Sequence, residues 1–154
     1  MLDSQAKSGV GRQVRSTEIQ DDNTLLYPIF LNLSGRRCVV VGGGEVAGRK
    51  ARKLLQAGAE VVVIAPEIHP DLTRAGLETQ QRAYRDGDLE GAHLAFTATD
   101  SREVNAAVAL EAGERGIPVN VADRPSDGDF ARPSTLRRGR HQVAVSTGGA
   151  SPAL

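Results

Sequence analysis

The stretch RCVVVGGGEVA, residues 37–47, constrains the fold of this chain more than any other. Arg37 leads the run Cys38-Val39-Val40-Val41, a continuous apolar segment of strand length. Such a run suits a strand buried on both faces of a parallel sheet. It feeds Gly42-Gly43-Gly44, and helical spacing follows. Val46, Ala47, Ala51, Leu54 and Leu55 share one face, while Arg49, Lys50, Arg52 and Lys53 fall elsewhere. Gly58 stops the helix. The pattern G-x-G-x-x-A is weak in isolation, but between a strand and a helix it reads as a dinucleotide-binding turn. Gly42 permits the tight turn, Gly44 lets the backbone approach a pyrophosphate, and Ala47 lets helix and strand pack closely. The helix N-terminus adds roughly half a positive charge, aimed at the phosphates. The competing reading is a glycine turn that binds nothing.

The same rhythm continues. Glu60–Ala65 reads as a second buried strand ended by Pro66, and residues 68–76 as one short helix. Leu77–Tyr84 alternates like an edge strand, and Ala92–Thr97 is another buried run. Ser101 caps a helix through about Arg115, with Val104, Ala107, Val108 and Ala112 inward, and Gly116 ends it. Pro118–Val121 is a further strand. Strands alternating with helices predict an α/β, Rossmann-type NAD-binding domain with a mostly parallel sheet. Residues 124–133 lack periodicity. Ser134–Arg137 and His141–Ser146 then flank Arg138-Gly139-Arg140 as a hairpin-like β extension. Ser151-Pro152 announces a helix two residues before the last. The expected organisation is a disordered leader over 1–24, the nucleotide domain over 25–125, and a β/helical dimerisation region over 126–154, cut at the start of a helix.

Composition narrows the function. The 154 residues carry 19 basic and 19 acidic side chains, no Trp, two Tyr and three Phe. Neither a nucleic-acid partner nor a base-stacking platform is expected. No apolar run approaches the roughly 20 residues that cross a bilayer, and the N-terminus lacks a signal-peptide core, so no membrane partner is expected either. The single Cys38 cannot form an internal disulfide, and a cytoplasmic location is expected. His69, His93 and His141 lack metal-ligand spacing, His93 reads as a packed core residue, and no metal site is expected.

Ligands of open α/β sheets sit beyond the carboxyl ends of the strands. Gly42–Gly44, Pro66-Glu67, Thr97–Asp100 and Asp123 all belong to that edge. Glu67 is the first acid after the second strand and no Arg sits at that turn, which favours NAD over NADP. Glu67 reads equally well as a solvated loop acid. Asp123 is a lone carboxylate just past a buried strand, either facing the reactive end of the cofactor or satisfying turn donors before Arg124-Pro125. Arg124, Arg132, Arg137, Arg138 and Arg140 crowd the next stretch and suggest a polyanionic small substrate. For Arg138 and Arg140 a solvated hairpin tip fits better.

From Tyr27 to Leu154 the sequence resembles the dehydrogenase/chelatase domain of siroheme synthases. The carrying stretches are YPIFLNLSGRRCVVVGGGEVAGRKARKLLQAGAEVVVIAP, AFTATDSREVN, VNVADRPSDGDFARPS and VAVSTGGASPAL. The resemblance implies NAD-dependent oxidation of precorrin-2 to sirohydrochlorin, with Fe²⁺ insertion in those members that are also ferrochelatases. It implies cofactor contacts at Glu45, Val46, Pro66 and Glu67, which join Gly42, Gly43 and Gly44 of the glycine turn and Thr99 and Asp100 of the sheet edge as the cofactor-binding candidates. It places Asp123 as proton acceptor; Arg124, Arg132 and Thr147 are the substrate-binding candidates. Thr147 stands where some members have a modified serine. A homodimer is implied where the C-terminal helices are present. Two further readings are an NAD(H)-binding module without catalytic activity and a different oxidoreductase of this fold acting on a small acid. The second of these lacks a well-placed Tyr-Lys pair or catalytic His.

Overall fold

The computed structural model describes residues 25–148. The expected leader over 1–24 and the helix start at Ser151-Pro152 lie outside the described residues. Five strands form a parallel sheet: β1 (Arg37–Val41), β2 (Glu60–Ala65), β3 (Glu78–Gln81), β4 (Leu94–Thr97) and β5 (Val119–Val121). Their order across the sheet is β3-β2-β1-β4-β5. The chain moves outward from β1 to β3, then returns to pair β4 against the free side of β1. Val39 is flanked by Val62 on one side and Ala95 on the other. The order therefore reverses between β1 and β4, the position at which such sheets open a crevice.

Alternation along the strands divides the core in two. Cys38, Val40, Val61, Val63, Leu94 and Phe96 meet helix α1 (Glu45–Gln56) and the short α2 (Pro70–Arg74). Val39, Val41, Val62, Ile64, Ala95, Val119 and Val121 meet α3 (Arg102–Arg115) through Val108 and Ala112. Burial pushes the Cys38 thiol up to about 11, so it behaves as an apolar core group. Among the described residues no helix is long and apolar enough to cross a membrane.

Several expected details are corrected. The edge strand is Glu78–Gln81 rather than 77–84, because Arg82 leaves the ladder to hold Asp88 through Nη1–Oδ2 at 2.8 Å and Nη2–Oδ1 at 2.7 Å. Strand β4 starts at Leu94, and His93 is exposed beside Arg36 Nη1 at 3.2 Å, not packed in the core. Pro118 precedes β5, although its carbonyl still accepts from Ala95 at 3.0 Å. On α3, Ala107 is exposed while Asn105 and Glu111 are buried. Glu111 accepts from the backbone N–H of Gly87 (2.9 Å) and Leu89 (3.3 Å), from Arg115 Nε (2.7 Å) and from the Tyr84 hydroxyl. A buried carboxylate with that many donors fixes the 84–89 loop on α3.

The apolar stripe of α1 is also narrower than expected. Ala47, Gly48, Lys50, Ala51 and Leu54 are buried, whereas Val46 and Leu55 are exposed. Lys50 occupies a core position because β5 turns Asn120 toward the same face. Its Nζ donates to Asn120 Oδ1 at 3.0 Å and lies 5.3 Å from the Phe96 ring centre. Burial, and then the nearby Arg132, Arg49 and Lys53, bring Lys50 down from 10.5 to about 8. A base whose folded value lies below its unfolded value makes the unfolded chain bind more protons between the two, so stability rises with pH there. Above about pH 9 the raised Cys38 opposes that gain. Stability to urea is therefore expected to rise from about pH 8 to 9 in the wild type. Unfolding curves of Lys50→Met should lack that rise; an identical pH dependence would refute the assignment.

Beyond β5 the chain turns through a 3-10 segment (Pro125–Asp127) and runs back along the sheet edge. Asp129 N–H donates to the Val119 carbonyl at 2.7 Å, and Phe130 meets Phe96 edge-on at 5.4 Å. The hairpin of β6 (Ser134–Arg138) and β7 (His141–Val145) follows. Its strands end one residue away from the expected limits, at Arg138 and Val145. The loop is the two residues Gly139-Arg140, with Gly139 at φ 58° supplying the left-handed turn. Every residue of the hairpin is exposed, including Leu136, Val143 and Val145 on one face.

Candidate active site

The turn after β1 is held by backbone contacts on both sides. Gly42 N–H donates to Ile64 O and Ala98 N–H to Val41 O, each at 2.9 Å. Gly42 has φ 134°, and a Cβ there would lie 2.4 Å from Ala98 O. At Gly43 a Cβ would lie 1.9 Å from Glu67 O, and the Gly43 carbonyl accepts from His69 N–H at 2.9 Å. Both glycines let the turn press against the loops after β4 and β2. Gly44 differs: a Cβ there would meet nothing within 4 Å.

That open space adjoins the N-terminus of α1. The N-cap Gly44 carries no side-chain cap, whereas His69 accepts from Asp71 N–H at 3.3 Å on α2 and Ser101 accepts from Val104 N–H at 3.2 Å on α3. A twelve-residue helix thus presents uncapped donors and its positive end to a bare glycine. These features fit a dinucleotide pyrophosphate. A cleft of about 350 Å³ continues from Gly44 and Glu45 to Arg52, His69, Asp71 and Leu72. Pro66 and Glu67, which follow β2, are exposed. Arg52 and His69 were not singled out for this site by their place in the chain. Helical spacing from Gly44 was the available signal for Arg52, which stands two turns further along α1.

On the other side of the glycine turn lies the loop after β4. Asn105, buried at the start of α3, accepts from the Thr97 hydroxyl (2.5 Å), the Thr99 hydroxyl (2.7 Å) and Thr99 N–H (3.3 Å), and donates to Thr99 O at 3.0 Å. It fixes Thr99 and the exposed Asp100 beside the glycine turn. Ala122 N–H extends the ladder to Thr97 O at 3.0 Å, which sets Asp123 immediately past the last β5–β4 bond.

Asp123 is about one-third exposed and faces a cation. Arg102 Nη1 lies 3.3 and 3.2 Å from its two oxygens, while Arg102 Nη2 binds Asp127. Partial burial pushes the Asp123 carboxyl up. The Arg102 guanidinium, the Asn105 amide and a backbone N–H outweigh that and leave it below the ordinary carboxylate value. Arg102 had no sequence signal tying it to Asp123, 21 residues away. Arg124 is exposed at the start of the 3-10 segment. Arg132 lies apart, in a cleft of about 190 Å³ with Lys53, Pro133 and Thr135 on the flank of α1. Thr147 follows β7 at the far end of the hairpin.

A 3-2-1-4-5 parallel sheet with an uncapped glycine turn at its switch point defines a dinucleotide-binding α/β domain. The chain belongs to the NAD_binding_7 family, described as "Putative NAD(P)-binding", whose sequence model matches residues 29–134. The expected fold and cofactor class agree with that membership. It is 47% identical over 131 residues to siroheme synthase of Methylobacillus flagellatus and 48% identical over 132 residues to that of Chromobacterium violaceum. These alignments take in 82% and 83% of this chain but 28% of each relative. The chain thus spans under a third of the length of these curated relatives. A solved structure titled "SirC, precorrin-2 dehydrogenase" superposes with a TM-score of 0.70 at 33% identity, over 82% of this chain and 64% of that one. The resemblance to the siroheme synthase family read from the sequence agrees with these matches.

Proposed function

We propose that this chain is an NAD-dependent dehydrogenase unit that oxidises precorrin-2 to sirohydrochlorin in siroheme biosynthesis. The observation that carries the reading is that an open glycine turn after β1 and the Asp123 carboxylate after β5 lie at the same carboxyl edge of one parallel sheet, in a chain similar to siroheme synthases and a precorrin-2 dehydrogenase. In this reading Gly42, Gly43, Gly44, Glu45 and Val46 seat the pyrophosphate end of the cofactor. Pro66 and Glu67 border its adenosine side, and Thr99 and Asp100 its other flank. NAD⁺, when bound, supplies the hydride acceptor. Asp123 takes the proton that leaves the tetrapyrrole, and Arg124 pairs with a substrate carboxylate. Arg132 and Thr147 are assigned to the substrate through the hairpin side. Fe²⁺ is a second substrate where the same pocket also chelates. The exposed Leu136, Val143 and Val145 support a homodimer formed through the hairpin region. A cytoplasmic setting fits the buried, unpaired Cys38.

Anaerobic mixing of the chain with precorrin-2 and NAD⁺ tests the reading. NADH and sirohydrochlorin should appear in equal amounts. Tight NAD⁺ binding without NADH formation would instead support a binding module without catalysis.

A further inference from the structure

We propose that Arg102 is a positioning residue for this reaction: its guanidinium, divided between Asp123 and Asp127, holds the Asp123 carboxylate ionised at the β5 end of the crevice. The inference rests on the dehydrogenase reading above. Three elements converge here. Arg102 is the first residue of α3, Asp127 ends the 3-10 segment, and Asp123 follows β5. Nη1 of Arg102 reaches both oxygens of Asp123, and Nη2 is taken by Asp127. One guanidinium therefore faces two carboxylates, and its side chain is 40% exposed.

The charged groups in contact here are Arg102 from α3 and Asp127 from the 3-10 segment; Arg124, next in chain, and Asp100, in the β4–α3 loop, are exposed. Asn105 contributes an uncharged amide. Arg102 favours the ionised form of Asp123, while Asp127 competes for Arg102 and repels Asp123. A proton acceptor must be ionised before it acts, so this pair sets how far into acid the reaction persists. It also fixes which lone pairs of Asp123 remain free of Nη1.

Two variants should move the pH profile in opposite directions. In Arg102→Gln, Asp123 protonates at higher pH. The value of kcat/KM for NADH formation should fall about fivefold at the acid end, the upper size of effect an exposed ion pair exerts. The alkaline plateau should hold within about twofold. In Asp127→Asn, Arg102 faces a neutral amide in place of a competing carboxylate, and a like charge beside Asp123 is gone. The acid limb should then move to lower pH. Titration of the Asp123 carboxyl by ¹³C NMR on the full chain should shift in the same two directions without substrate. A purely structural staple would lower Tm in both variants and scale activity equally at every pH. That result, or acid limbs that stay in place, would overturn the inference while leaving the dehydrogenase reading intact. A wild-type chain that makes no NADH would overturn both, and the two failures are distinguishable from the wild-type trace alone.

Discussion

Gly43→Ala should unfold the domain at a temperature about 10 °C below wild type, whereas Gly44→Ala should fold and fail to bind cofactor tightly. The two residues are adjacent and look alike in the sequence. Their surroundings differ completely. A methyl group at residue 43 would sit 1.9 Å from the carbonyl oxygen of Glu67. That neighbour is backbone, tied to the end of β2, so the clash cannot be relieved by rotating a side chain. Forcing the β2 loop away also breaks the 2.9 Å bond from His69 N–H to Gly43 O. A cost of about 3 kcal/mol is expected. At residue 44 the backbone is extended (φ −88°), a conformation alanine adopts freely, and the added methyl meets nothing within 4 Å. Only the weaker N-cap preference of alanine remains, about 1 kcal/mol. The methyl would occupy the space in front of the uncapped donors of α1. NAD⁺ affinity, measured by titration calorimetry, should drop tenfold or more, about 1.4 kcal/mol. If Gly44→Ala bound NAD⁺ as tightly as wild type, the pyrophosphate would not lie over this turn.

The pattern of elements was legible because each buried strand is a nearly unbroken apolar run bounded by glycine, proline or a capping serine. RCVVV, EVVVIA and AHLAFT need no long-range knowledge, and Ser101 and Gly116 mark both ends of α3. The carboxyl edge followed from the strand directions alone, which placed Asp123 on the same edge as Gly42–Gly44, Pro66-Glu67 and Thr97–Asp100; which of these it neighbours did not follow. What was not legible depends on partners distant in sequence. Lys50 reads as a surface residue because its acceptor, Asn120, lies 70 positions away. The polar Asn120 within the buried run VNV was the signal that some donor had to meet it. Glu111 likewise reads as a solvated helix acid until the 84–89 loop is folded over it. His93 fails in the other direction: its neighbours are apolar, but it stands at the mouth of β4, one residue before burial begins. Arg132 was grouped with Arg124 by proximity in the chain, and the reversal of the backbone along β5 carries it to the flank of α1.

Asp123→Asn should reduce NADH formation from precorrin-2 about 100-fold or more while leaving the fold and NAD⁺ binding unchanged. Stability should be retained because the side chain is about one-third exposed, and Arg102 keeps Asp127 as a partner when the charge at 123 is removed. The amide still fills the same volume and still accepts from Arg102. What it loses is the ability to take up a proton. Cofactor binding should persist because the glycine turn is held by β2 and the β4 loop, with no contribution from residue 123. The ordinary objection to an aspartate base is its low proton affinity at neutral pH. Arg102 makes the free protein a still weaker base. A substrate rich in carboxylates changes that balance in two ways. It repels the ionised Asp123, and it offers Arg102 an alternative partner, so the aspartate gains proton affinity when the substrate is in place. The loss in Asp123→Asn should therefore appear in kcat, with KM altered only a few-fold. A variant that binds NAD⁺ normally and turns over precorrin-2 at the wild-type kcat would remove Asp123 from the chemistry and leave it a turn residue at the end of β5.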